Sequence, residues 1–347
     1  MKLSAVTIAR GSFILGILAI LSVSSTSFAA DERWIEFSKT ALSKVEEKPN
    51  IAGEDPAWFF PVRELNHLGQ GEFWKKDWSE VAANQSDPIP SLIEFRDLLK
   101  EKGIDLILLP IPPKGSLYPE KLDSSFALGD SVDTGPFWKS LRERGLDVVN
   151  LYSVFSDLRK VKSNPLLYCQ QDSHYTPYAI EKIAELVARK AEKFVHSGNA
   201  SFKSGDEERL TIVGDQIEGS EWEGKIGSES LLLRPVFQNG TRGVEPDAKS
   251  PFLLLGDSHT LVFQQGKESG MHTTGAGLVD HLSLQFGVAF DLVGVRGSGM
   301  VQARKQLFYR AAQHPGYWEN KKLVVWVFSE REFTQSIDRL ISIPLER

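Results

Sequence analysis

Apolar residues fall along this chain in two alternating patterns. Short unbroken runs have the length and flanking turn residues of strands buried on both faces: IDLILLPI at 104–111, FLLLGD at 252–257, FDLVGV at 290–295 and LVVWVF at 323–328. LDVVNLY at 146–152 reads as another strand. Between the runs lie stretches with helical spacing, at 31–50, 90–102, 137–145, 176–194, about 274–288 and about 300–313. Gly103 and Gly145 stop two of these helices, and Thr176 followed by Pro177 starts a third. Strand and helix alternate. The pattern therefore predicts an α/β fold, with a mostly parallel sheet and helices on both faces.

One segment breaks the pattern. Residues 199–249 are polar and rich in Gly, Ser and Glu, with short alternating pieces such as RLTIVG and SLLLRPVF. They predict a β-rich insertion of surface hairpins within one folded domain spanning 30–347. Residues 1–29 have another character. Lys2 and Arg10 precede the apolar FILGILAIL, and SVSSTSFAA supplies small residues, with Ser27 and Ala29 where a signal peptidase reads. Cleavage after Ala29, or retention as a signal anchor, would both export the rest of the chain.

Composition narrows the function. The chain is 41% hydrophobic and 25% charged, as soluble globular proteins are. Its net charge of -6 and lack of a basic run argue against nucleic acid as a partner. Cys169 is the single cysteine, so no disulfide can form within the chain, which suits a bacterial periplasm. No Cys/His cluster has zinc spacing, and no nucleotide or coenzyme A motif occurs, so no metal or cofactor is expected.

Open parallel sheets bind ligands beyond the carboxyl ends of their strands. Three loops lie at such ends: GDSHT at 256–260, PPKGSLYP at 112–119 and VRGSGM at 295–300. A fourth stretch, YCQQDSHYTP at 168–177, immediately precedes a helix. Ser258 follows a long buried run and could be a nucleophile, but a serine needs a base, and the base a group to orient it. Asp172 and His174 are two residues apart, so in an extended segment they share a face. Asp172 could then hold the His174 ring in one tautomer while its other nitrogen takes the Ser258 proton. The competing reading makes Asp257 or Ser258 a turn cap, Asp172 or Thr176 a helix cap, and His174 a surface residue. His259 adjoins Ser258 too closely to serve its hydroxyl, and is expected to line the pocket or pack beneath the turn. The other histidines, 67, 196, 272, 281 and 314, have no carboxylate at a suggestive spacing. They are expected to be packing or surface residues.

GDSHT and QQDSHYTP together resemble the motifs of the SGNH-hydrolase-like bacterial polysaccharide O-acetyltransferases of the AlgJ/AlgX type. AWFFPVRELNHL, LILLPIPPKGSLYPEKL and LVVWVFSEREF resemble further segments of that family, in the same order, across residues 57–333. The resemblance implies a three-layer α/β/α fold, with Ser258 as nucleophile and Asp172 and His174 completing a triad. Tyr175 stands where the family often has Trp, and His259 where an aromatic is common; both are expected to shape the pocket. The chain ends soon after LVVWVF, without room for the carbohydrate-binding module of the AlgX type, so the AlgJ type is the nearer match.

The resemblance further implies acetyl transfer, through an acetyl-serine, to an exopolysaccharide such as alginate. It implies a periplasmic protein, to which a membrane O-acyltransferase delivers acetyl groups across the membrane, working with other exopolysaccharide biosynthesis proteins. The Ser258 N–H and the turn at Gly297 and Gly299 are candidates for the oxyanion donors, although plain strand-to-helix geometry also explains that turn. Arg296, Lys114 and Tyr118 are candidates for holding a carboxylated or hydroxyl-rich sugar, with a solvated loop charge the alternative for Lys114. An acetylesterase of the same fold and a non-catalytic glycan-binding scaffold are the rival functions.

Overall fold

The computed structural model describes residues 32–45, 50–81, 87–130, 133–196, 200–297, 299–335 and 342–345. The export segment read at 1–29 lies outside them. Four of the apolar runs form the central sheet: β1 (Asp105–Ile111), β2 (Phe252–Gly256), β3 (Asp291–Gly294) and β4 (Leu323–Ser329). Their order across the sheet is β3-β2-β4-β1, and every pairing is parallel.

Alternation along these strands divides the core in two. Ile107, Leu109, Leu254, Val325 and Val327 face one side, against helices Leu151–Lys160, Pro177–Lys190 and Leu278–Phe286. Leu106, Leu108, Leu253, Leu255, Val324 and Trp326 face the other, against Ile89–Glu101, Gly135–Glu143 and Met300–Gln313. Both faces are covered, which gives the expected three layers and explains why the strands read as unbroken apolar runs.

The other elements follow the sequence closely, with three corrections. The first helix is described over 32–43, shorter than the 31–50 stretch. LDVVNLY contributes only a single parallel bridge, Val148 to Leu108. Asn150 ends it by accepting from Ser153 N–H at 3.2 Å, which starts a helix at Leu151 in the middle of the run. The insertion is β-rich, with an antiparallel hairpin of Glu208–Ile212 and Glu229–Leu233 and a small sheet of Phe202–Ser204, Val236–Gln238 and Thr241–Arg242. It is more than a surface feature. Ile212, Leu231 and Leu233 join the core beside helix Pro177–Lys190, and Glu229 is buried with them.

Candidate active site

β2 ends at Gly256 because only glycine fits: a Cβ there would lie 2.3 Å from the Val327 carbonyl oxygen of β4. Asp257 then turns the chain. Its Oδ1 accepts from His259 N–H at 2.9 Å and its Oδ2 from Ser329 N–H at 3.1 Å. This cap opens the single helical turn Ser258–Thr260, and it leaves Ser258 half-buried at the carboxyl edge of the sheet.

The second stretch forms a tight loop rather than the extended segment expected. An antiparallel bridge between Tyr168 and Tyr175 closes it, and Thr176 caps the following helix by accepting from Ala179 N–H at 3.3 Å. Inside the loop, Asp172 Oδ1 accepts from His174 N–H at 2.9 Å and from the ring Nδ1 at 2.6 Å. The chain's two Asp-Ser-His sequences therefore share one local geometry, since Asp257 Oδ1 accepts from the main-chain N–H and the ring Nδ1 of His259, each at 2.9 Å. In one copy the histidine points to the partner loop, and in the other the serine does.

They meet across 84 residues: His174 Nε2 lies 2.8 Å from Ser258 Oγ. An ionised carboxylate can only accept, so in the neutral ring Nδ1 carries the proton and Nε2 is left to accept from the serine hydroxyl. Burial alone would lower the pKa of His174, but Asp172, Asp215 and Asp257 outweigh it and raise the ring to about 9. Burial alone would raise Asp172, yet His174 and His272 hold it well below the usual carboxylate range. A hydroxyl, an imidazole and a buried carboxylate thus stand in line, the arrangement that activates a serine toward a carbonyl carbon.

The SGNH hydrolase-like domain of the acetyltransferase AlgX matches residues 52–224, which hold Asp172 and His174 and stop short of Ser258. The chain belongs to the AlgJ/AlgX-type SGNH-hydrolase-like family. It is 27% identical over 142 residues to the probable alginate O-acetylase AlgJ of Pseudomonas aeruginosa, 40% of this chain and 32% of that protein. The match thus spans about a third of that relative's length. The O-acetyltransferase domain of Pseudomonas putida AlgJ superposes with a TM-score of 0.58 at 19% identity, covering 83% of this chain and 93% of that one. AlgX of Pseudomonas aeruginosa superposes at 0.52 and 17%, covering 82% and 63%. At these identities the two structural likenesses concern the fold.

Within this family frame, the other sequence candidates separate into supports and outliers. Lys114 is neither a solvated charge nor a sugar ligand. It is fully buried, and Nζ donates to the carbonyls of Phe59 and Asp172, each at 2.7 Å, and of Gln170 at 3.3 Å. Burial lowers its pKa against the pull of Glu64. Tyr118 is also buried, its oxygen accepting from Leu167 N–H at 2.9 Å and its ring tilted against Trp58. Neither side chain can reach a ligand at the surface. Tyr175 is buried too, its hydroxyl donating to the His259 carbonyl, so it ties the two Asp-Ser-His loops together. The His259 ring centroid lies 5.0 Å from that of His174, and its buried Nε2 has no partner among the described residues. Arg296 is exposed and donates to the Ser269 carbonyl at 2.6 Å. Gly297 is exposed with φ +63, and Gly299 precedes helix Met300–Gln313. Among the described residues, no hydrogen bond joins Arg296, Gly297 or Gly299 to Ser258.

Four residues missed in the sequence complete the site. Asp215 N–H donates to Asp172 Oδ2 at 3.0 Å, and its carboxylate accepts from Ser173 N–H at 2.8 Å. Gly214 packs so tightly that a Cβ would lie 2.1 Å from Gln171 O. Glu229 accepts from the N–H groups of Gln170 and Gln171 at 2.8 and 3.1 Å. His272 Nε2 lies 2.8 Å from Asp172 Oδ2. The first three belong to the insertion, which therefore clamps the acid loop. Asp172, His174 and Asp215 bring donor atoms within 4.8 Å of one another, the spacing a cation needs. Here those oxygens accept from N–H donors instead.

Proposed function

We propose that the protein is an exported, serine-dependent O-acetyltransferase that modifies hydroxyls of an exopolysaccharide of the alginate class, with residues 1–29 as its export signal. The observation that carries this reading is the unbroken relay from Asp172 through His174 to Ser258, with contacts of 2.6 and 2.8 Å. The kinship with AlgJ-named proteins supports the choice of acetyl as the group moved.

The steps follow from the geometry. His174 Nε2 takes the Ser258 proton as Oγ bonds to the carbonyl carbon of an acetyl donor. Asp172 stabilises the resulting imidazolium. The tetrahedral oxyanion needs donors, and the Ser258 N–H has no acceptor of its own among the described residues. Collapse breaks the bond to the leaving group, which takes the proton back from His174, and leaves acetyl-Ser258. A sugar hydroxyl then gives its proton to His174 and attacks the acetyl carbon; collapse breaks the bond to Ser258 Oγ, which takes that proton back from His174, releasing the O-acetylated polymer and free Ser258. We assign delivery of the acetyl group to a partner membrane O-acyltransferase. No helix among the described residues is long and apolar enough to cross a membrane.

The test uses the chain from residue 30 onward, an activated acetyl ester and a deacetylated polysaccharide. Acetylated polymer should form with wild type and vanish in Ser258→Ala and His174→Ala with circular dichroism unchanged. Equal rates in wild type and Ser258→Ala would end the proposal. Acetate release without polymer acetylation would make the protein an esterase.

A further inference from the structure

We propose that His272 is a positioning residue for the triad's acid, a second histidine that holds the Asp172 carboxylate against the His174 ring. The inference rests on the triad reading above and extends it to a residue outside that triad.

The two histidines grip opposite oxygens of one carboxylate. His174 takes Oδ1 through its ring and main-chain nitrogens, while His272 Nε2 reaches Oδ2 at 2.8 Å across 100 residues. Among the described residues, only the Asp215 N–H, at 3.0 Å, shares Oδ2 with it. Without His272, Oδ2 keeps the longer Asp215 N–H bond as its one holder among the described residues, and the carboxylate can swing more widely about its terminal torsion, which is broad and soft. Swinging would pull Oδ1 off the Nδ1 axis and free the imidazole to turn from Ser258.

The backbone is arranged for this contact at a cost. His272 has φ +67, in the left-handed region that a side chain rarely adopts, and Phe263, whose ring lies 5.5 Å away, has φ +59. Main-chain bonds fix the pair: Phe263 N–H donates to Met271 O at 2.9 Å, and Gly266 N–H to Thr273 O at 3.1 Å. A loop that holds two non-glycine residues in this region delivers one imidazole nitrogen to one buried oxygen.

His272 also acts on charge. Each donor to Asp172 spreads the carboxylate's charge and weakens its pull on the Nδ1 proton. The other charged or titratable groups facing this pair are His174, Asp215, Glu229, Lys114 and the buried Cys169 around Asp172, and Glu218, Glu223 and Lys267 along the groove beside His272. None of the lysine or carboxylate side chains among them donates to Oδ2. Loss of His272 leaves the carboxylate more basic and the His174 imidazolium harder to deprotonate. The outer face of His272 borders a groove of about 780 Å³ beside the insertion hairpin, between Ile212, Glu218 and Lys267, so a small molecule in solution can reach its place.

The experiment compares His272→Gly and His272→Gln in the chain from residue 30 onward, assayed on an activated acetyl ester. Glycine accepts the positive φ, so it removes the side chain without straining the loop. It should lower kcat by roughly ten- to hundredfold, the scale of one hydrogen bond to a charged group, and leave KM unchanged. The acidic limb of its rate profile should move to higher pH, and added imidazole should restore rate. His272→Gln keeps an N–H donor and should retain most of the activity. Wild-type kcat and an unmoved acidic limb in His272→Gly overturn the inference. So does a loss in both variants that imidazole does not recover and that leaves the acidic limb in place. If Ser258→Ala is inactive while His272→Gly is normal, only this inference fails; if Ser258→Ala is active, the triad reading fails first.

Discussion

Lys114 Nζ donates to the main-chain carbonyl of Asp172 at 2.7 Å, behind the residue whose carboxylate serves His174. The same ammonium holds the Phe59 carbonyl at 2.7 Å, so it joins the early aromatic segment to the acid loop. A buried lysine is tolerated only where its donors are matched, and here carbonyls match them. Lys114→Met should leave those carbonyls unpaired and cost roughly 3 kcal/mol or more of stability. Denaturant unfolding checks this. A stable Lys114→Met protein whose only defect is a raised KM for polymer would return Lys114 to the role of sugar ligand.

The pH dependence has a definite sign. Catalysis needs neutral His174, whose pKa is raised to about 9. Acetyl release should therefore climb as pH rises through about 9, above the ordinary histidine range. Stability runs the other way. A histidine raised on folding from 6.5 contributes stability that is fully present below 6.5 and is lost as pH rises through about 9. The melting temperature of the resting protein should fall across that window, and His174→Ala should flatten the change. A rate profile levelling off near pH 6.5 would contradict the proposed pairing.

The fold was legible because the sheet is buried on both faces. FLLLGD and LVVWVF have no polar interruption, and their alternate residues feed two separate cores. The relay was half legible. Asp172 and His174 lie two residues apart, so their pairing left a local trace, whereas along the chain the approach of Ser258 was one of two open readings and the family resemblance decided between them. The clamps left weaker traces. IVGDQ at 212–216 carries the same apolar-to-Gly-Asp signature as LLGDS at 254–258, but its polar surroundings mask it. Glu229 and His272 have no marker along the chain, since tertiary contacts alone make their environments. Lys114 and Tyr118 mislead for a related reason. Their loop leaves the carboxyl end of a strand, where ligands bind, but its side chains turn inward.

Tyr118 gives a clean contrast between structural and binding roles. Its oxygen accepts from the buried Leu167 N–H. Tyr118→Phe should cost about 1–3 kcal/mol by leaving that donor unpaired, and KM for polymer should not change. Thermal melting and steady-state kinetics separate the two. A KM that rises severalfold with no loss of stability would show the hydroxyl facing substrate.

The insertion is the part of the chain whose contribution to the site is most open to direct test. Its Gly214 lies against the acid loop, where a Cβ would come within 2.1 Å of Gln171 O and 2.6 Å of Asp172 N. Those are main-chain atoms and cannot swing aside. Gly214→Ala must therefore push the two segments apart. That stretches the Asp215 N–H bond to Asp172 at 3.0 Å and the Gln216 N–H bond to Gln171 O at 3.1 Å. Overpacking of this kind costs about 1–3 kcal/mol. Displacing a catalytic group by about 1 Å can cost on the order of a hundredfold in rate, which is the loss expected in acetyl release. Gly227 lies in the same insertion with nothing within 4 Å of its Cβ position, so Gly227→Ala should leave both stability and rate near wild type. Equal behaviour of the two alanine variants would mean that the insertion can shift without disturbing Asp172, and that the clamp is incidental to the chemistry.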